Sequence, residues 1–148
     1  PTSSRRQRQM CIRDRLPAGN GHGTASGLAK LFGILATGCK RNNLTLLKNK
    51  TLDKAIEVHS SGPDTVLFGV KLNFGYCFML EGNKNSNINF APIFYKGTFG
   101  HAGIGGSVAF GDRKNKLSYS FVCNKQQGSK DLYKTSNMLT KALYESIN

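Results

Sequence analysis

"FGHAGIGGSVAFGDRKNKLSYSFVCN", residues 99–124, is the stretch whose reading decides the fold. Its second half reads as a β-hairpin. "GSVAFG" has strand composition, "DRKN" (112–115) is a turn, and "KLSYSFVCN" (116–124) alternates Leu117, Tyr119, Phe121 and Cys123 on one face. Its first half is stranger, because five glycines surround His101 between residues 99 and 112. Glycine inside a strand loses order and packing, so such density points to a bulge or to the close approach of another backbone or a ligand. Two readings stay open on composition. In one, small residues let a substrate lie along the strand and leave N–H groups for an oxyanion. In the other, the stretch is a tight inter-strand turn with a solvent-facing histidine.

Outward from the hairpin, the elements fall in a simple order. "LPAGNGHG" (16–23) is a glycine-rich loop, and Thr24 is placed to cap a helix over "ASGLAKLFGILAT", which Gly38 ends. A second helix is expected over Lys50–Val58 with Asn49 as its cap. "GPD" (62–64) reads as a turn, and "TVLFGV" (65–70) and "LNFGYCFMLE" (72–81) read as strands. A closing helix from about Lys130 carries Leu132, Leu139, Ala142, Leu143 and Ile147 on its apolar side. Helices, then antiparallel strands, then a covering helix make an α+β arrangement.

The chain has 148 residues, enough for one domain with a real core. Its net charge is +13, but five of its seven arginines fall within residues 1–15, "PTSSRRQRQMCIRDR", against one acid. Composition breaks at Leu16, where arginine gives way to lysine and periodic patterns begin. Residues 1–15 therefore read as a non-native, adapter-derived segment, and 16–148 as the folded part. The competing reading is a basic arm or interaction module for acidic partners. Nucleic acid is not the expected partner, since the remaining lysines are scattered. No apolar run reaches the ~18–20 residues of a membrane span. No address is visible, and cytoplasm and mitochondrion are both compatible compartments. Cys11, Cys39, Cys77 and Cys123 lie far apart with no C-x-x-C, so neither metal nor cofactor is expected; Cys77 and Cys123 read as small buried hydrophobes.

Other motifs are weaker. Gly19-x-Gly21-x-Gly23-Thr24 opens a helix as phosphate loops do, but without a preceding strand or a Walker lysine it reads as a helix cap. His22 reads as a loop hydrogen-bonder and His59 as a partner of a helix C-terminus. Phe74, Tyr76 and Phe78 alternate as base-stacking aromatics do, yet the initial Lys/Arg-Gly is missing, which favours a core strand.

"LPAGNGHGTASGLAKLFGILATG", "LLKNKTLDKAIE", "VLFGVKLNFGYCFMLE", "FGHAGIGGSVAFGDRKNKLSYSFVCNK" and "LYESI" come in one order across nearly all of 16–148. Together they resemble the C-terminal part of the serine β-lactamase-related hydrolases, which include class C-type β-lactamases, D-Ala-D-Ala carboxypeptidases and esterases. The resemblance implies a β-lactamase/transpeptidase-like fold, with an antiparallel sheet flanked by helices. It implies a parent that hydrolyses a small-molecule ester or amide through an acyl-enzyme. The family's third box, K-T-G or H-x-G, falls on His101, Ala102 and Gly103 as substrate-binding residues, and the backbone N–H of Ile104 becomes an oxyanion donor. Ala102 stands where Thr or Ser is usual, which removes a hydroxyl for a substrate carboxylate and favours an esterase- or peptidase-like activity. The nucleophile box S-x-x-K and the Y-x-N box occur nowhere in the chain. The fragment alone is therefore expected to be inactive, with no catalytic residue of its own and Ser107 serving the backbone; the alternative is a noncatalytic β-lactamase-like relative.

Overall fold

The computed structural model describes residues 21–82 and 89–147, so the arginine-rich stretch and the first residues of the glycine loop lie outside the described residues. Helix α1 (Ala25–Ala36) starts where expected, with Thr24 Oγ1 accepting from the Gly27 N–H at 3.1 Å. It closes with Gly38 at φ +109° and the Cys39 N–H bonded back to the Ile34 carbonyl at 2.8 Å, a Schellman-type ending. The short strands β1 (Lys40–Arg41) and β2 (Leu44–Thr45) pair, and α2 (Asn49–Ala55) follows. This helix is shorter than its periodicity suggests, because the chain folds back over its end. His59 Nε2 lies 3.0 Å from the Lys54 carbonyl, the C-terminal role expected of it, and the Tyr76 N–H donates to the Ala55 carbonyl at 2.8 Å.

The next hairpin is displaced from the sequence reading. Residues 62–64 are not a turn but the end of β3 (Ser60–Asp64), which pairs with β4 (Val70–Phe74) in the register Gly62↔Leu72. Residues 65–69, rich in strand formers, are the tip. The Asp64 carboxylate accepts the Leu67 N–H at 2.7 Å, and the Asp64 carbonyl accepts the Gly69 N–H at 2.7 Å. Phe68 and Gly69 take φ +53° and +82°. Aspartate-led turn chemistry has prevailed over β propensity here. Nor is 72–81 one strand: β4 ends at Phe74, Cys77 turns through φ +63° and is exposed, and Tyr76 is exposed beside it.

The central sheet has the order β5 (Thr98–Ala102), β6 (Val108–Asp112), β7 (Leu117–Phe121), all antiparallel. Met79 stitches the earlier hairpin to it, donating to the Gly100 carbonyl at 2.7 Å and accepting the Gly100 N–H at 3.0 Å. β6 is buried along its whole length. Val108 and Phe110 face a cluster with Leu132, Tyr133 and Tyr144, whereas Ala109 faces Phe32, Leu35 and Phe99. So α1 covers one face of the sheet, and α3 (Lys134–Ile147), reached through a 3-10 turn at Ser129–Asp131, covers the other.

The buried side of α3 departs from its apolar periodicity. Leu139 and Ile147 are each 45% exposed, while Ser136, Asn137, Thr140 and Tyr144 are buried. Hydrogen bonds set this orientation. Asn137 accepts the Ile93 N–H and donates to the Ala91 carbonyl, both at 3.0 Å, and the Tyr144 hydroxyl donates to the buried Asp112 carboxylate at 2.7 Å. A buried carboxylate is costly without partners, so it dictates which face turns inward. The whole is the expected α+β architecture.

Candidate active site

Two different causes account for the glycines around His101. At Gly100 a Cβ would lie 2.2 Å from the Ala109 carbonyl, and at Gly111 it would lie 2.9 Å from the Phe99 ring. Gly106 sits at φ +95°, with the Leu132 carbonyl 2.3 Å from where its Cβ would be. These three are demanded by the chain's own packing. Gly103 and Gly105 have only open space or a 3.9 Å neighbour. The connection itself is a tight turn, residues 103–107, and not a bulge: the Gly103 N–H donates to the Ser107 carbonyl at 2.8 Å, and the Gly106 N–H to the Gly103 carbonyl at 2.9 Å.

His101, Ala102 and Gly103, expected from the sequence to form a third box, lie where β5 loses its outer neighbour. Gly100 exchanges both backbone bonds with Met79. Backbone groups alternate in direction along an antiparallel strand, so those of Ala102 face the same edge, beyond the Met79 bridge. The Ala102 methyl belongs to the apolar cluster, and this residue offers the edge only its backbone. His101 is exposed, and its Nδ1 lies 2.8 Å from the Ala102 carbonyl. A carbonyl can only accept, so Nδ1 carries the hydrogen and Nε2 is left, in the neutral ring, as an acceptor.

Both residues line a cavity of about 410 Å³ whose further walls come from the 65–69 tip, Ile104, Leu132 and Tyr133. Asp64 is its only charged lining residue among those described, and its carboxylate is occupied by the Leu67 N–H. Phe68 (77% exposed) and Ile104 (75%) are large apolar side chains left in solvent at its mouth. Mostly apolar walls with a few placed polar groups are the usual character of a small-molecule site.

The turn is braced from inside. Its carbonyls accept side-chain donors: Gly103 from the Tyr133 hydroxyl at 3.0 Å, Ile104 from Gln126 Nε2 at 3.3 Å, and Gly105 from the Cys123 thiol at 2.8 Å. Ser107 Oγ accepts the Cys123 N–H at 3.3 Å, the backbone role expected of it. Cys123 is thus half-buried and bonded into the turn, rather than a packed hydrophobe. Among the described residues the Ile104 N–H has no acceptor. Burial pushes the Tyr133 hydroxyl up to about 12, so it stays a neutral donor across the physiological range.

Sequence reasoning brought His101, Ala102, Gly103 and Ile104 to one edge but missed Tyr133, Gln126 and the 65–69 tip. No motif in the sequence marks Tyr133; its reach across the fold to Gly103 is what distinguishes it. Among the described residues no cluster of His, Cys, Asp and Glu could hold a metal, and no helix is long and apolar enough to cross a membrane.

Comparison with known proteins gives a consistent picture. A family model described as Beta-lactamase matches residues 1–142. The chain is 30% identical over 113 residues to "Esterase/beta-lactamase LipL" of Mycobacterium tuberculosis, covering 74% of this chain and 24% of that protein. Its fold is similar to the crystal structure of a penicillin-binding protein homologue from Caulobacter crescentus, with 34% identity, a TM-score of 0.70, and 86% of this chain on 33% of that one. A family VIII carboxylesterase shares the fold with a TM-score of 0.64 at 23% identity, over 90% of this chain and 36% of its own. The chain therefore spans about a quarter to a third of the length of these relatives.

Proposed function

The chain belongs to the beta-lactamase family, and from that premise we propose that it forms the third-box wall of an acyl-transferring serine hydrolase acting on an ester or amide. The supporting observation is the open edge of β5, where His101 stands against an apolar cavity and the Ile104 N–H lacks an acceptor among the described residues.

In this reading a serine of an S-x-x-K box, supplied outside this chain, attacks the substrate carbonyl. The lysine and tyrosine of the first two boxes take its proton. The carbonyl oxygen becomes an oxyanion held by the Ile104 N–H and by the serine's own amide. Collapse expels the alcohol or amine and leaves an acyl-enzyme, which water then hydrolyses. His101 contributes through Nε2, which its Nδ1–Ala102 bond aims and fixes, and Gly103 keeps space beside the reacting carbon. The side-chain hydroxyl often found at position 102 is absent, and no cation lines the cavity among the described residues. Both features favour a neutral ester or amide over a carboxylate-bearing one. By itself the chain has no nucleophile for this chemistry and is inactive.

The test is His101→Ala in a protein that joins this chain in frame to S-x-x-K and Y-x-N boxes. Ester turnover should fall about 100-fold, the scale of a lost proton-handling group, with an unchanged melting temperature. Equal turnover would remove His101 from the site.

A further inference from the structure

We propose that Tyr133 is a positioning residue for this site: its buried hydroxyl holds the Gly103 carbonyl inward and thereby turns the Ile104 N–H to the open edge of β5. The proposal rests on the acyl-transfer reading above and adds to it the group that orients the oxyanion donor.

The geometry is that of one peptide unit. The Gly103 carbonyl and the Ile104 N–H belong to the same amide, and every peptide bond among the described residues is trans. In a planar trans amide the C=O and N–H point in opposite directions, so fixing one aims the other. The Gly103 oxygen is fixed twice, by the Tyr133 hydroxyl at 3.0 Å and by the Gly106 N–H at 2.9 Å. The second bond is internal to the turn and would move with it. The first ties the turn to the rest of the molecule.

Tyr133 is itself immobilised. It is 3% exposed, its N–H donates to the Asn89 carbonyl at 2.7 Å, and its carbonyl accepts the Asn137 N–H at 2.8 Å and Ser136 Oγ at 3.0 Å. The preceding carbonyl, that of Leu132, fills the space a Gly106 side chain would need. One segment thus both grips and confines the turn. Such preorganisation matters because an oxyanion donor works only if it need not reorient as charge develops.

Tyr133→Phe keeps the ring and removes the hydroxyl. In the protein carrying the S-x-x-K box, kcat for a p-nitrophenyl ester should fall about 10- to 100-fold, as misplacement of a reacting geometry does, with KM within about twofold. A packing defect alone would lower the yield of folded enzyme and leave the kcat of the folded fraction intact. Amide hydrogen exchange in the unmutated 148-residue chain gives a second readout that needs no activity. The Ile104 amide should exchange fast, with Gly103 and Gly106 protected. A protected Ile104 amide, or an unchanged kcat in Tyr133→Phe beside an active parent, overturns the role of Tyr133 alone. An inactive parent overturns the acyl-transfer reading, and the positioning role with it.

Discussion

At the scale of single residues, identical letters do different work. Gly100, Gly106 and Gly111 answer to atoms of Ala109, Leu132 and Phe99, whereas Gly103 and Gly105 border open space. No local pattern separates the two groups, because the deciding neighbours lie up to tens of residues away. The sequence did single out His101 as the residue around which they gather. Gly106→Ala should destabilise the chain by at least about 2 kcal/mol, because a methyl at positive φ meets a fixed carbonyl. Gly105→Ala, which has space, should cost less than about 1 kcal/mol. Urea unfolding of both variants checks the contrast, and equal losses would contradict the packing account.

At the scale of elements, what could be read depended on whether local chemistry or distant partners settled the outcome. α1 and the β6–β7 hairpin were legible, since the Thr24 cap, the Gly38 stop and the alternation of Leu117, Tyr119 and Phe121 are local signals. The 65–69 tip was misread because Val66, Leu67 and Phe68 favour strands and the Asp64 bonds that bend them carry little weight in composition. α3 was placed to within a few residues, and Leu132 and Leu143 of its expected apolar side do pack on the core, but Leu139, Ala142 and Ile147 face outward, since its orientation follows from Asn137 and from the Tyr144–Asp112 bond.

That bond has a pH signature. Burial pushes the Asp112 carboxyl up, but hydrogen bonds from Tyr144 and Asn115 outweigh it and hold the group below the usual carboxylate range. A lowered folded value contributes stability that is present above the unfolded value, about 3.9, and is lost as pH falls through the folded one. Tyr144→Phe removes one of these bonds. It should cost about 1–3 kcal/mol at neutral pH and move the acid-unfolding midpoint to higher pH. Circular dichroism against pH reads the shift, and an unmoved midpoint would refute the linkage.

For the whole molecule, a sheet with a helix on each face leaves the outer edge of β5 only partly paired, and the candidate site lies on that edge. β6, buried along its length, fixes the sheet; Met79 closes β5 only as far as Gly100, so His101, Ala102 and Ile104 lie beyond the bridge. Fold class was legible because matching segments run in fixed order, and the same run carries the proposed third box at His101–Gly103. The brace from Tyr133 was not, because it depends on the path of the chain after the sheet. The central claim is that this chain supplies the wall and the oxyanion donor but not the nucleophile. Labelling with a serine-directed fluorophosphonate, followed by peptide mass spectrometry, tests it most directly. In a protein joining the chain to an S-x-x-K box, the account predicts an adduct on the serine of that box alone, and none on the 148-residue chain by itself. An adduct on Ser107, or on any other serine of this chain, would contradict it.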